Sequence, residues 1–196
     1  MKRLFSKLLL GVVCFGSIFQ TQAHARILII RNTQDTTDEK SLRGAIIAAN
    51  GRGGNNTIIL ARGTYRLTIP GPDGDTARSG DLDITRGRLA IVGVSAAKVI
   101  IDAGGSADRV FHVLPGAQLI LDDVTISGGT ASGAESVGGI LNAGHLWLNR
   151  CLVRSNYTTT GAGGFVGGTG GHGLLKRENK LQGVRSLAHR VGPGRF

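Results

Sequence analysis

A ladder of short apolar segments, recurring in matched order, constrains this chain more than any other feature. An offset of 27 residues places Leu119 on Leu146, Leu121 on Leu148, Val124 on Cys151 and Ile126 on Val153. Leu89 and Ile91 fall on Leu119 and Leu121 at an offset of 30, and Val99 and Ile101 on Val124 and Ile126 at an offset of 25. Self-similarity with a period of roughly 20–50 residues is the signature of a solenoid. One coil cannot bury the apolar side of its own short strands, whereas stacked coils cover one another. The expected strands are 26–30, 57–60, 64–69, 82–85, 88–92, 98–102, 110–113, 118–121, 124–127, 140–142, 145–149 and 152–154. The 32 glycines are spread along the chain without a collagen period and mark the corners between strands. An antiparallel sandwich also predicts short alternating strands between turns, but it gives no reason for inward residues to match from coil to coil.

The first residues follow a different logic. Lys2, Arg3 and Lys7 precede an apolar run from Leu8 to Phe19 and the small-x-small triplet Ala23-His24-Ala25, which together read as a secretory signal cleaved after Ala25. The apolar run is shorter than the ~20 residues a membrane-spanning helix needs, so no transmembrane helix is expected in the mature chain. Next, Leu42, Ala45, Ile46 and Ala49 recur at helical spacing, with Ser41 as N-cap and Asn50-Gly51 as the stop. The expected organisation is a signal peptide over 1–25, an N-terminal cap with one short helix over 26–56, coils over 57–165 and a basic irregular tail over 166–196. Past the expected cleavage point Cys151 is the single cysteine, which rules out an internal disulfide; it reads as a small core residue.

The net charge of +10 sits mostly at the two ends. Residues 1–25 carry three basic side chains and no acidic one, and 172–196 carry six basic side chains against Glu178. The body between is nearly balanced, so the basic face that a nucleic-acid-binding domain requires is not expected.

Ser41-Leu42-Arg43-Gly44-Ala45-Ile46, with Ala49-Asn50, Thr57-Ile58-Ile59-Leu60 and Gly63-Thr64-Tyr65, resembles the N-terminal cap of bacterial β-helix proteins bearing the CSLREAI motif. Gly80-Asp81-Leu82-Asp83-Ile84, Arg109-Val110-Phe111-His112-Val113, Val124-Thr125-Ile126-Ser127-Gly128-Gly129 and Gly138-Gly139-Ile140-Leu141-Asn142-Ala143-Gly144 are similar to coils of polymorphic outer-membrane proteins. The resemblance covers about residues 27–165 and implies a right-handed parallel β-helix of the pectin-lyase-like kind, exported to the cell surface or outer membrane of a bacterium or secreted. It assigns no catalytic residue. Lys40 replaces the motif's cysteine and Gly44 its acidic residue, so no role of those side chains carries over. The coil pattern decays after Gly164, and 172–196 shows no strand ladder. This reads as truncation or frame shift of a longer coil series; a basic amphipathic cap built on Leu174, Leu175, Leu181, Val184 and Leu187 is the other reading. With an uncovered final edge, self-association edge to edge is expected.

Fold alone does not establish activity, and candidate chemistry has to be weighed residue by residue. Asp73, Asp75, Asp81 and Asp83 are the densest carboxylates with the spacing to surround a hard cation such as Ca²⁺, although Pro70-Gly71-Pro72-Asp73-Gly74 is also ordinary turn chemistry. An inverting hydrolase would need two carboxylates about 6.5–9.5 Å apart, for which Asp102 with Asp122 or Asp123 is the available set. His112, His145 and His172 match no compact metal motif. Trp147 alternates outward between Leu146 and Leu148, where it can stack on a sugar ring or a flanking loop. Asn149 and Asn156 read as corner residues. The expected function is that of a non-enzymatic exported scaffold or adhesin meeting extracellular carbohydrate or a host surface, with no required cofactor. A polysaccharide lyase or hydrolase is the first alternative, and a nonfunctional fragment of a longer β-helix protein the second.

Overall fold

The computed structural model describes residues 25–71, 74–106, 108–131 and 137–158, together with the backbone strands 165–167, 172–175 and 180–181. In chain order its elements are β1 (Arg26–Ile30), helix α1 (Leu42–Arg52), β2 (Asn55–Leu60), β3 (Gly63–Arg66), β4 (Leu82–Ile84), β5 (Arg88–Val92), β6 (Val99–Asp102), β7 (Phe111–Val113), β8 (Gln118–Asp122), β9 (Thr125–Ser127), β10 (Thr130–Ala131), β11 (Ile140–Asn142), β12 (His145–Asn149), β13 (Leu152–Val153), β14 (Tyr157–Thr158), β15 (Phe165–Gly167), β16 (His172–Leu175) and β17 (Lys180–Leu181). The strands form a β-solenoid of about four turns, a right-handed parallel β-helix with one short helix.

Three parallel sheets make the walls. A six-stranded sheet runs β1-β2-β5-β8-β12-β16, a five-stranded sheet β17-β13-β9-β6-β3 and a four-stranded sheet β15-β11-β7-β4, while β10 and β14 form a small fourth pair. From β4 onward the chain visits the four-, six- and five-stranded sheets in that order on each turn. The ladder read from the sequence is the actual register: Leu119 pairs with Leu146, Leu121 with Leu148 and Ile126 with Val153. Leu89 and Ile91 pair with Leu119 and Leu121, and Ile101 with Ile126. These side chains fill the lumen and are essentially excluded from water. A third ladder, Leu82–Phe111–Ile140, completes the interior along the four-stranded sheet.

Two expectations are corrected. The helix does not stop at Asn50-Gly51 but continues through Arg52 to a C-cap at Gly53 (φ 66°), whose N–H bonds the Ala49 carbonyl. Asn50 keeps its helical backbone because its side chain has work elsewhere: Nδ2 donates to the Asp83 carbonyl at 2.8 Å and Oδ1 accepts from the Thr85 N–H at 3.1 Å. The N-cap is as expected, Ser41 Oγ accepting from the Gly44 N–H at 3.1 Å. Strand pairing also runs past residue 165, with β15, β16 and β17 extending the three sheets in register on β11, β12 and β13. Gly173 falls opposite Leu146, so the apolar ladder misses a rung there, while backbone pairing needs no side chain.

The N-terminal cap depends on Arg43, which is fully buried. Its Nε and Nη2 grip Asp35 at 2.6 and 3.1 Å. Nη1 donates to the carbonyls of Ala77 and Asp81 at 3.0 and 3.1 Å, and Nη2 to that of Gly80 at 2.9 Å. All five N–H donors of the guanidinium are thereby used. Asp35 Oδ2 in turn accepts from the Thr68 and Ile69 N–H groups at 2.7 and 3.0 Å. One arginine thus joins the chain before the helix, the helix itself and the 77–81 loop that overlies the four-stranded sheet. Gly44 beside it has a steric cause: a Cβ there would lie 2.0 Å from the Asp38 carbonyl oxygen, so the acidic residue of the CSLREAI pattern does not fit this cap.

Candidate functional site

In the four-stranded sheet, Leu82 and Ile84 point into the lumen and Asp83 between them points out. His112 follows Asp83 on the next coil, in register and on the same outer face. Asp83 is nevertheless 1% exposed at its side chain, because the 74–80 loop, tied down by Arg43, lies over it. Ala77 donates its N–H to Asp83 Oδ2 at 2.9 Å, and Ala77 takes a left-handed backbone (φ 60°) to do so.

From the same loop Asp75, also left-handed at φ 66°, reaches the imidazole. His112 Nδ1 lies 3.2 Å from Asp75 Oδ1 and 3.3 Å from Asp83 Oδ1. The hydrogen bond to Asp83 raises the His112 pKa, with burial opposing it and the Asp81 and Asp83 charges adding to it. Asp81 sits on the rim, where Arg109 Nε approaches its Oδ2 to 3.2 Å. That Nε–H makes no hydrogen bond, and the Arg109 and His112 charges only partly oppose the burial of the carboxyl. Burial first, then the neighbouring Asp83 and Asp108 charges, push the Asp81 carboxyl up to about 8.

Of the four aspartates expected around Ca²⁺, three lie among the described residues. Asp75 and Asp83 meet at His112, Asp81 turns to Arg109, and Asp73 lies outside the described residues. Asp102 ends β6 on the five-stranded sheet and pairs with Arg66 at 3.0 Å, whereas Asp122 and Asp123 at the end of β8 hold Arg150 at 2.5 and 2.7 Å. His112 and His145 do not share a wall, since β7 and β12 belong to different sheets; His172 pairs in register with His145. His112 as a partner of Asp75 and Asp83 was legible only as the residue 29 positions after Asp83, a coil offset that the sequence ladder did not include.

A second feature lies on the outer face of the six-stranded sheet. Ile27, Thr57, Ala90, Ile120 and Trp147 stand in register on consecutive strands, beside a second row of Ile29, Ile59 and Val92. Ile27 and Ile29 are 65% and 55% exposed. Along the other flank runs a polar row, Asn55, Arg88, Gln118 and His145. Trp147 points outward as expected, with the His145 ring stacked nearly parallel at 5.9 Å and 18°. Asn156 braces a corner by accepting from the Gly129 N–H and donating to the Ile126 carbonyl, and Asn149 stands opposite Asp122 of the previous coil.

No described helix is long and apolar enough to cross a membrane. Ala25, the expected cleavage residue, is exposed immediately before β1, and 1–24 lie outside the described residues. The fold defines the class as a right-handed parallel β-helix. Comparison of the chain with protein-family models, curated proteins and solved structures gives no match.

Proposed function

We propose that this chain is an exported, non-enzymatic β-helix scaffold, secreted or held at a bacterial surface, that meets extracellular carbohydrate through the outer face of its six-stranded sheet. The observation that carries this reading is the row from Ile27 to Trp147, apolar but for Thr57, flanked by the polar row from Asn55 to His145. With strands about 4.8 Å apart, the row of five extends about 19 Å, a length suited to a polymer rather than to a small molecule. Sugar rings have the same two-sided character, apolar C–H faces and hydroxyl edges, and a tryptophan with a polar neighbour suits both. The secretory pattern ending at Ala25 supports export.

The test is retention of the full-length chain on a panel of insoluble acidic and neutral polysaccharides. Binding to at least one polymer, weakened about tenfold or more in Trp147→Ala with an unchanged far-ultraviolet circular dichroism spectrum, is the expected result. Equal retention of the variant, or no retention on any polymer, would refute the reading.

The polysaccharide-cleaving alternative has one observation in its favour. Asp81 is a buried carboxyl whose pKa is raised, chiefly by burial, to about 8, the direction a general acid requires. Product release from the same panel, with and without Ca²⁺, decides between the two: turnover abolished in Asp81→Asn would replace the scaffold reading.

A further inference from the structure

We infer that Asp75, Asp83 and His112 form a binding site for a single Zn²⁺ ion. His112 Nδ1 lies 3.2 and 3.3 Å from the facing oxygens of the two carboxylates, and all three ligand atoms fall within 4.8 Å of one another. Zinc bonds of about 2.0–2.1 Å in tetrahedral geometry put neighbouring ligand atoms about 3.3–3.4 Å apart, so two edges of the polyhedron already stand at nearly the right length. The third edge, between the two carboxylates, is at most 4.8 Å, and Asp75, whose side chain is 55% exposed on its loop, is the ligand that would close it.

The support around the ligands is that of a held site. Asp83 is buried, its Oδ2 engaged by the Ala77 N–H so that Oδ1 faces the imidazole. The 74–80 loop that supplies Asp75 is fixed from beneath by the Arg43 bonds to Ala77 and Gly80. A neutral imidazole with two carboxylates balances a divalent ion. Arg109 pairs with Asp81 at 3.2 Å, and its charge also acts on His112, favouring the neutral imidazole. The donor set also selects the metal. Ca²⁺ takes six to eight oxygens, whereas an imidazole with two carboxylates suits a zinc-type ion. The exposed side of Asp75 leaves the fourth position to water. The inference is independent of the carbohydrate reading, because this trio lies on the four-stranded sheet and the apolar row on the six-stranded one.

The experiment is calorimetric titration of the full-length chain with Zn²⁺ alone, repeated with Ca²⁺ and on the variants Asp75→Asn and His112→Gln. One saturable Zn²⁺ site, no comparable Ca²⁺ site, and binding weakened about tenfold or more in both variants is the expected result. Absence of saturable Zn²⁺ binding, or unchanged affinity in either variant, overturns the assignment. Because Zn²⁺ can also bind elsewhere on a histidine-bearing chain, Co²⁺ is added to the wild-type protein as a geometric probe. Intense visible bands of four-coordinate Co²⁺ that disappear in Asp75→Asn are expected; only the weak bands of six-coordinate Co²⁺ would overturn the site.

Discussion

Replacing Arg43 by Met removes all five hydrogen bonds of a guanidinium that is 0% exposed. Asp35, 1% exposed, keeps its bonds from Thr68 and Ile69 but loses its counter-charge, while the carbonyls of Ala77, Gly80 and Asp81 lose a buried donor. Breaking a buried ion pair from one side costs about 3–5 kcal/mol, a large part of the roughly 5–15 kcal/mol that stabilises a typical domain. The assay is urea unfolding of the full-length chain followed by far-ultraviolet circular dichroism, with the midpoint converted through a slope measured for each variant. Arg43→Lys is the informative companion, because an ammonium cannot span a carboxylate and three separate carbonyls; it should recover little of the loss. Asp35→Ala with the double variant completes a cycle in which the two losses are strongly non-additive. A loss below about 1 kcal/mol in Arg43→Met, or full recovery by lysine, would refute the view that this arginine holds the cap and the 77–81 loop together.

The remaining predictions concern single atoms. Gly44→Glu should destabilise the chain by about 1–3 kcal/mol, because a Cβ at Gly44 meets the Asp38 carbonyl; a neutral outcome in thermal unfolding would show that the 37–38 turn yields. Burial pushes the Cys151 thiol up to about 11. In a Cys14→Ser background it should react with a disulfide reagent far more slowly at pH 8 than the unfolded chain does. The folded pKa lies above the ordinary value of 9.0, so the thiol's contribution to stability is complete below pH 9 and is lost as pH rises toward 11. Native reactivity at pH 8 equal to that of a free thiol would contradict this burial.

Much of the fold was legible because a solenoid repeats its instructions. Leu119 and Leu146, or Ile101 and Ile126, are placed by the same local rule of one inward residue in two, and stacking makes that rule visible as an offset. The short pair β10 and β14 escaped notice because two residues carry no period, and the extension through β16 because Gly173 interrupts the apolar order. The helix runs past Asn50 to Arg52 because the Asn50 side chain, common at helix ends, here bridges to Asp83 and Thr85.

The candidate site was legible only in part. Asp75, Asp81 and Asp83 stood out as carboxylates, but which of them converge depends on how the 74–80 loop folds back, and nothing in the local sequence shows that loop being fastened by Arg43 some 35 positions earlier. The sequence by itself determined the solenoid, its core and the outward aspect of Trp147, since these follow from alternation and repetition along the chain. Only the tertiary structure decided that Asp83 is buried beneath a loop and faces His112 and Asp75, that burial raises the pKa of Asp81, and that Gly44 must lack a side chain. Those properties arise from contacts between segments distant along the chain, which no periodic pattern encodes.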